Sequence, residues 1–532
     1  MATIGQSVSA QALSGENAET GWRSHWDTGI IVVLALAWLA ILFAFAFRLQ
    51  LFSDELDIIL PATNYINGHL HVNENVKYPS FSFYFYGFFF RLFRTAGSTD
   101  ACLPVARVVN YSIFVTNIFF LHAFLRRHFP RLWALVGTVL FTTLPGIVFS
   151  AIYVKTEGLL LFQLLFVLLV LGKLSNYPHA LRWHALAAIG AALSIATKLS
   201  PLPFILCAAN AIYLRSQGTK IAPRAWVTFC GAFLVTILAA WRNLWFFDKV
   251  LAFWKKDLYF FPGAGPFNAV TEGVFSGFPY GRFGSFITVT MPVALGLVGL
   301  FFLGSLFARS IPRWLLWVFG GGNLISLLIG LSTTRLRLPH GFTPHIVFFL
   351  VAGVSFLAWL GSRRPADHPI FNSRLAWILV AASLSQTAWQ TLELPGFISG
   401  MSRTAQTARS RAGGRHADFF LFMYPNLLTR NLAKVGLTPD KMKDFESLRE
   451  AVALAKPKRL YIFSSYIDNM CKYATQPTYR DNCDFFYKEL LPGKTAYRIE
   501  REEVIPWKGY LLFDPEFSRM RFFLFSRSTG SE

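Results

Sequence analysis

The sequence predicts a helical protein that crosses a membrane many times and ends in a small α/β domain outside the bilayer. Three observations lead there. Hydrophobic residues make up 54% of the 532, Phe alone accounts for 55, and the mean hydropathy is +0.43, all far from a water-soluble chain. Between about residue 29 and Trp389 the apolar residues fall in runs of roughly 17–25, the length of a bilayer span. After Trp389 the composition becomes that of a soluble domain. A formal net charge of +21 would suit nucleic acid, but the basic residues sit between apolar runs. An anionic lipid surface is the partner that this arrangement fits, and nucleic acid is not.

Residues 1–26 are rich in Ser, Ala, Gly and Gln without a basic start, and read as a disordered tail rather than a signal peptide. About eleven spans follow by length and hydrophobicity. They centre on 29–47, 105–125, 132–150, 157–174, 184–198, 201–214, 225–246, 285–307, 314–332, 342–360 and 373–391. Every second short loop is basic. Arg126, Arg127 and Arg131 mark one; Lys173 and Arg182 the next; then Arg215, Lys220 and Arg224; Arg309 and Arg313; and Arg363, Arg364 and Arg374. The positive-inside rule assigns these loops to the cytoplasm. The N-terminus is then inside, and the first loop, 49–80, outside.

That loop carries the chemistry we expect. It opens on Asp54 and Glu55, continues as ELDIILPATNYI, a helix that Ser53 and Asp54 would cap, and closes on Lys77-Tyr78-Pro79. Carboxylates at a membrane face are costly and call for a reason. Asp57 lies one turn on, and Lys155 and Glu157 stand at the next outer turn, as cavity-lining residues or as a plain interfacial pair. The second large outer loop, 247–284, adds Lys255, Lys256 and Arg282 among aromatics and Gly/Pro turns, the composition of an interfacial belt or of a lid. Lys198, Arg335 and Arg337 lie at the same face. One such cation alone reads as snorkelling; together with Lys77 they suggest a site for a phosphate or diphosphate. His340 and His345 have no standard ligand spacing and no carboxylate beside them, so a structural or substrate contact is expected there and no metal. Gly320-Gly321-Gly322 lies inside an apolar run, where close helix packing is the default.

Residues 392–417 are a polar, Arg-containing linker, and 418–532 the soluble domain. A helix is expected in PDKMKDFESLREAVALAKP, and strands in KRLYIFSSY, TAYRIEREEVI, GYLLFDPEF and MRFFLFSR. An odd number of spans puts this domain outside, where a disulfide between Cys471 and Cys483 suits an oxidising compartment. Cys207 and Cys230 fall in spans, as packing residues.

In order along the chain, several segments resemble the membrane glycosyltransferases of the GT-C class, in the branch of the protein O-mannosyltransferases and the lipid A aminoarabinose transferases. SDELDIILPATNYINGHL resembles their acidic first external loop with its short helix ending near a Gly, here Gly68. Lys77-Tyr78-Pro79 is similar to the Lys-Pro-Pro element, with Tyr in place of the first Pro, and FSFYFYGFFFRLF to the aromatic juxtamembrane helix. ARVVNYSIFV, SAIYVKTEGLLLFQLLF, LSIATKLSPLPFIL and RLRLPHGFTPHIVFFLVAG resemble later elements, over roughly residues 29–360 in all.

The resemblance implies inverting transfer of a sugar from a polyprenyl-phosphate donor to a glycan, lipid or protein acceptor, at the outer face of a bacterial cell membrane, with no cofactor. The residues can support this. Asp54, with Glu55 beside it, is the candidate base for an acceptor hydroxyl. Lys77, Lys198, Arg282, Arg335 and Arg337 are candidate cations for the leaving phosphate, so that no metal is required. Tyr78, Lys155, Glu157, His340 and Lys255 are candidate lining of the cavity. Two other readings remain. A transporter or flippase of a lipid-linked sugar would use the same basic face but calls for ionisable groups deep in the spans, where Asn117, Gln163 and Asn323 are uncharged. A membrane-anchored sensor would leave the polar first loop without a purpose.

Overall fold

The computed structural model describes residues 26–46, 53–69, 79–95, 97–198, 200–249, 312–332, 343–362, 373–392, 448–456, 458–464, 481, 483–506 and 519–528. Among the described residues the membrane part is built mainly of helices. Its helices are α1 (Trp26–Ala46), α2 (Ser53–Ile66), α3 (Phe81–Leu92), α4 (Thr99–His128), α5 (Arg131–Thr143), α6 (Pro145–Ile152), α7 (Thr156–Asn176), α8 (Leu181–Lys198), α9 (Leu202–Ser216) and α10 (Pro223–Ala240). A 3-10 turn, Arg242–Phe246, follows. After it come a π-helical segment, Leu315–Gly320, that runs into α11 (Gly321–Ser332), then α12 (Thr343–Gly361) and α13 (Ser373–Leu392).

Each predicted span falls on helix except 285–307, which lies outside the described residues. Four of these helices, α1, α4, α7 and α10, are long and apolar enough to cross a membrane, and up to five spans result if the bent pair α5–α6 is one. The chain is a multi-pass membrane protein. The 132–150 span departs from expectation: it is two helices meeting at 60°. Leu144 is extended and Pro145 begins the second helix; proline donates no N–H and pushes its predecessor out of helical geometry.

Burial separates inner from outer helices. In α7, 72% of the most apolar stretch is buried, against 22% in α1 and 17% in α10, so the last two lie at the periphery of the described helices. α4 is the axle: it packs on α1, α5 and α7, with Trp38 edge-on to Phe114 at 5.8 Å. Charged contacts fix which ends share a face. Asp27 at the start of α1 pairs with Arg126 at the end of α4 at 3.0 Å, and Arg127 donates to the Gly172 carbonyl near the end of α7. α2, the start of α4, the α6–α7 junction and the end of α8 therefore gather at the other face.

α2 lays Leu56, Ile58, Ile59 and Ala62 against Tyr86 and Phe90 of α3 and Cys102, Leu103 and Ala106 of α4. It ends as the sequence suggests. Gly68 takes φ +75°, and His69 N–H closes on the Asn64 carbonyl at 2.8 Å, a left-handed stop that glycine adopts without strain. α3 approaches so closely that a Cβ on Gly87 would come within 2.6 Å of the Tyr65 ring.

Near the C-terminus, α14 (Leu448–Ala455), β1 (Arg459–Ser464), a π-helical segment Phe486–Leu490, β2 (Tyr497–Pro506) and β3 (Arg519–Arg527) enclose their own small core. The sheet order is β1-β3-β2, antiparallel, with Leu460 opposite Phe525 and Ile462 opposite Phe523. These four alternate residues are fully buried under Phe486, the period-2 pattern of a one-faced sheet. The segment GYLLFDPEF, read as a strand, lies outside the described residues. Cys483 is disulfide-bonded; Cys471, its expected partner, also lies outside them.

Candidate functional site

The site begins with a backbone problem. Between α6 and α7 the chain runs extended through Tyr153 and Lys155, so its peptide groups have no helix to bond to. Unsatisfied peptide groups cannot be left at bilayer depth. α4 supplies the partners from one face, with Arg107, Asn110 and Tyr111 at i, i+3 and i+4. The Asn110 side-chain amide donates to the carbonyls of Ser150, Ala151 and Tyr153 at 3.0, 2.8 and 3.0 Å. Two turns further, Asn117 donates to the Gly158 carbonyl at 3.2 Å. A Cβ on Gly158 would sit 3.0 Å from the Asn110 side-chain oxygen, so this contact leaves little room for anything larger.

Glu55 completes the junction. Its Oε1 accepts the Val154 N–H at 3.1 Å and Arg107 Nε at 3.0 Å; its Oε2 accepts Arg107 Nη2 at 2.8 Å. Glu55 is 0% and Arg107 1% exposed. A bidentate guanidinium–carboxylate pair is among the stronger charge-assisted contacts, and here it is closed to solvent. Glu55 lies in the first turn of α2, where the helix dipole also favours an anion. Asp54, the preceding residue of α2, is thereby carried on a backbone anchored to α4 and to the α6–α7 junction.

A second buried carboxylate stands at the start of α7. Glu157 pairs with Lys198, the last residue of α8, and accepts the Thr156 hydroxyl at 3.2 Å. Glu157 is buried, whereas the Lys198 side chain keeps 28% exposure. Six residues further along α7, Gln163 bonds Thr197, the residue before Lys198, at 2.8 Å from the Gln163 amide to the Thr197 hydroxyl. They fix the α7–α8 spacing under the ion pair. Lys155 is buried with its ammonium 5.0 Å from the Phe149 ring centroid.

The first loop is also tied to the second. Ser80, just before α3, donates to the Ala240 carbonyl at 3.2 Å and accepts the Arg242 N–H at 2.9 Å. The Arg242 guanidinium lies 4.9 Å from the Tyr84 ring centroid. Burial pushes the Tyr84 phenol up from its ordinary value, and the Arg242 charge partly offsets this.

Of the residues expected from sequence, Glu55, Lys155, Glu157 and Lys198 come together at this face, with Asp54 on the same helix as Glu55. Lys77, Tyr78, Lys255, Arg282, Arg335, Arg337 and His340 lie outside the described residues. Sequence reasoning gave no site role to Arg107, Asn110 or Ser80. The signal was available for the first: an arginine inside an apolar helix is a functional candidate by default. Asn117, Gln163 and Asn323 have packing roles, with Asn323 donating to the Phe319 carbonyl at 2.8 Å. Among the described residues no group of three or more His, Cys, Asp and Glu is arranged to hold a metal.

No protein-family model and no curated protein matches the chain. Among solved structures it is similar to ArnT from Cupriavidus metallidurans bound to undecaprenyl phosphate. The TM-score is 0.48 at 13% identity, over 94% of this chain and 98% of that one. The apo state of the same protein gives 0.48 and 13%, over 93% and 98%. An oligosaccharyltransferase from Archaeoglobus fulgidus, crystallised with Zn and sulfate, gives 0.39 and 11%, over 83% and 70%.

Proposed function

We propose that the chain is a membrane glycosyltransferase of the cell envelope. It takes a sugar from a polyprenyl-phosphate donor and passes it to an acceptor at the membrane face that bears α2. One observation carries the reading: two buried carboxylates, each held by its own cation, meet at one membrane face around a helix break, Glu55 with Arg107 and Glu157 with Lys198. Ionised groups are retained at this depth where they do work.

The roles divide by how each carboxylate is held. Both oxygens of Glu55 are committed to Arg107 and Val154, so Glu55 positions rather than takes a proton. Asp54, its neighbour on α2, is the base. The acceptor hydroxyl gives its proton to Asp54 while its oxygen attacks the anomeric carbon, and the bond from that carbon to the phosphate oxygen breaks on the opposite side, with inversion. The electron pair leaves on the polyprenyl phosphate. Cations fixed in advance lower the energy of that developing charge. Lys198 is the described candidate, steered by Glu157; Lys77, Arg282, Arg335 and Arg337 are proposed beside it from the sequence. Lys155 and Glu157 line the cavity.

The test compares envelope glycolipids and glycoproteins by mass spectrometry in a deletion strain. The strain carries the wild-type chain, Asp54→Asn or Lys77→Ala at matched protein levels. One sugar mass should vanish from one acceptor in the Asp54→Asn strain while the polyprenyl-phosphate sugar accumulates, which names both substrates. Full modification in that strain would remove α2 from the chemistry and favour a transporter of the lipid-linked sugar.

A further inference from the structure

From Glu157 to Asp248 the sequence contains no acidic residue, while Arg215, Lys220 and Arg224 crowd into ten positions. The structure gathers these three at the turn between α9 and α10, at the face away from Glu55. Gly218 takes φ +79° there, Thr219 N–H bonds the Leu214 carbonyl at 3.0 Å, and Gly218 N–H bonds the Arg215 carbonyl at 3.0 Å. This stop is sharp, and it keeps Arg215 in the last turn of α9, with Lys220 and Arg224 a few residues on. All three are exposed.

Against Arg215 opens a groove of about 300 Å³ between α7, α8, α9 and α10. Leu171, Ala187, Cys207 and Leu214 are buried along its floor. Ile212, 70% exposed, and Trp226, 48% exposed, stand at its sides. Its back is set by polar contacts. Trp314 Nε1 donates to Asn210 Oδ1 at 2.7 Å, and His184 Nε2 lies 2.8 Å from the Pro178 carbonyl oxygen. The groove is therefore built into the bundle rather than left between loose side chains.

We propose that this groove binds an anionic phospholipid from the leaflet on the basic face, one acyl chain in the recess and the phosphate against Arg215, Lys220 and Arg224. An empty apolar recess in the bilayer forfeits dispersion contacts, and a lipid tail is the apolar group available to fill it. Arg215 at the mouth, with Lys220 and Arg224 on the adjoining turn and no acid nearby in sequence, selects a headgroup carrying net negative charge. Trp226 stands two residues after Arg224 in the first turn of α10, the level at which tryptophan favours the interface. The site is separate from the Glu55 cluster and does not depend on the reaction proposed for it.

The test uses the purified full chain in detergent and two lipids with identical oleoyl chains, phosphatidylglycerol and phosphatidylethanolamine. Native mass spectrometry should show phosphatidylglycerol retained in preference. Arg215→Ala and Arg224→Ala should each weaken its retention about fivefold, the factor matching about 1 kcal/mol per basic residue at an anionic surface. Ala211→Trp, which fills the groove, should reduce both lipids. On the unmodified protein, a phosphatidylglycerol with a diazirine in its acyl chain should label peptides of α9 and α10 above those of α1. Equal retention of the two lipids, or labelling spread evenly over α1 and α9, overturns the proposal. The labelling map decides the matter even where a variant does not fold.

Discussion

Arg107 reaches back 52 residues to bind both carboxylate oxygens of Glu55, and neither side chain meets solvent. Breaking such a pair from one side leaves the other charge buried and alone, at a cost of about 3–5 kcal/mol. Arg107→Ala is therefore expected to lower the melting temperature in detergent sharply. Glu55→Gln with Arg107→Met, which removes both charges, should recover much of that loss. A double variant no better than Arg107→Ala would show that the pair is not a unit.

The neighbouring carboxylate should behave in the opposite way. Asp54→Asn is expected to leave the melting temperature near wild type and to lower kcat by about 10²–10⁴, the usual contribution of a positioned base. Glu55→Gln should lose stability and activity together, because the amide NH2 that replaces one carboxylate oxygen faces donors and leaves Arg107 and the Val154 N–H to share a single acceptor. Thermal unfolding and turnover measured on the same preparations separate the two roles. A stable but inactive Glu55→Gln would reverse the assignment.

How far these roles could be read from sequence depends on the physics behind each residue. Asp54 and Glu55 stood out because an acid beside an apolar run is improbable without a purpose, and Gly68 because only a left-handed residue ends a helix as this one ends. The spans declared themselves by length, yet the break at Leu144 needed the Pro145 signal to be given weight inside an apolar run. Arg107 and Asn110 were harder to see. Their partners are backbone carbonyls and a carboxylate some 40 to 52 residues away, and nothing local in the sequence says which strand of chain a helix face will meet. The split between Glu55 and Asp54 was equally out of reach, since adjacent acids look alike until one of them is seen to be bound.

Lys198 offers a way to probe the phosphate end of the site. Its side chain is partly exposed, and its ammonium is steered by the buried Glu157. Lys198→Ala should raise KM for the polyprenyl-phosphate donor more than it lowers kcat if the cation meets the donor's phosphate before the transition state. Stability should fall further for Lys198→Ala than for Lys198→Ala with Glu157→Gln, since the single change strands a buried anion. A KM for the donor and a kcat that both stay at the wild-type values would leave Lys198 as a structural partner of Glu157 only.

Ser80 joins the first loop to the start of the second through single atoms. Its hydroxyl oxygen serves the Ala240 carbonyl as donor and the Arg242 N–H as acceptor. Ser80→Ala leaves both backbone groups to find other partners, a loss of about 1–3 kcal/mol for a buried group. Hydrogen exchange should report it locally, with faster exchange at the Arg242 amide and in the first turn of α3, and little change in α7. Uniform loosening of the whole bundle would mean that the serine matters to packing rather than to this link.

The cysteines give a check that needs no substitution. Cys102, Cys207 and Cys230 are free thiols, and Cys483 is disulfide-bonded. The chain has five cysteines, and a bond between Cys471 and Cys483 would close a short loop beside Phe485 and Phe486, whose rings belong to the buried core under the sheet. A maleimide of high mass, added to the denatured and unreduced protein, should attach at three positions, matching the three free thiols. After reduction it should attach at all five. Protein made in the oxidising space outside the membrane is required for this outcome, because a dithiol left in a reducing compartment stays open. Five labels before reduction, from protein extracted straight from membranes under acid quench, would place the C-terminal segment on the reducing side and reverse the topology that the basic loops imply.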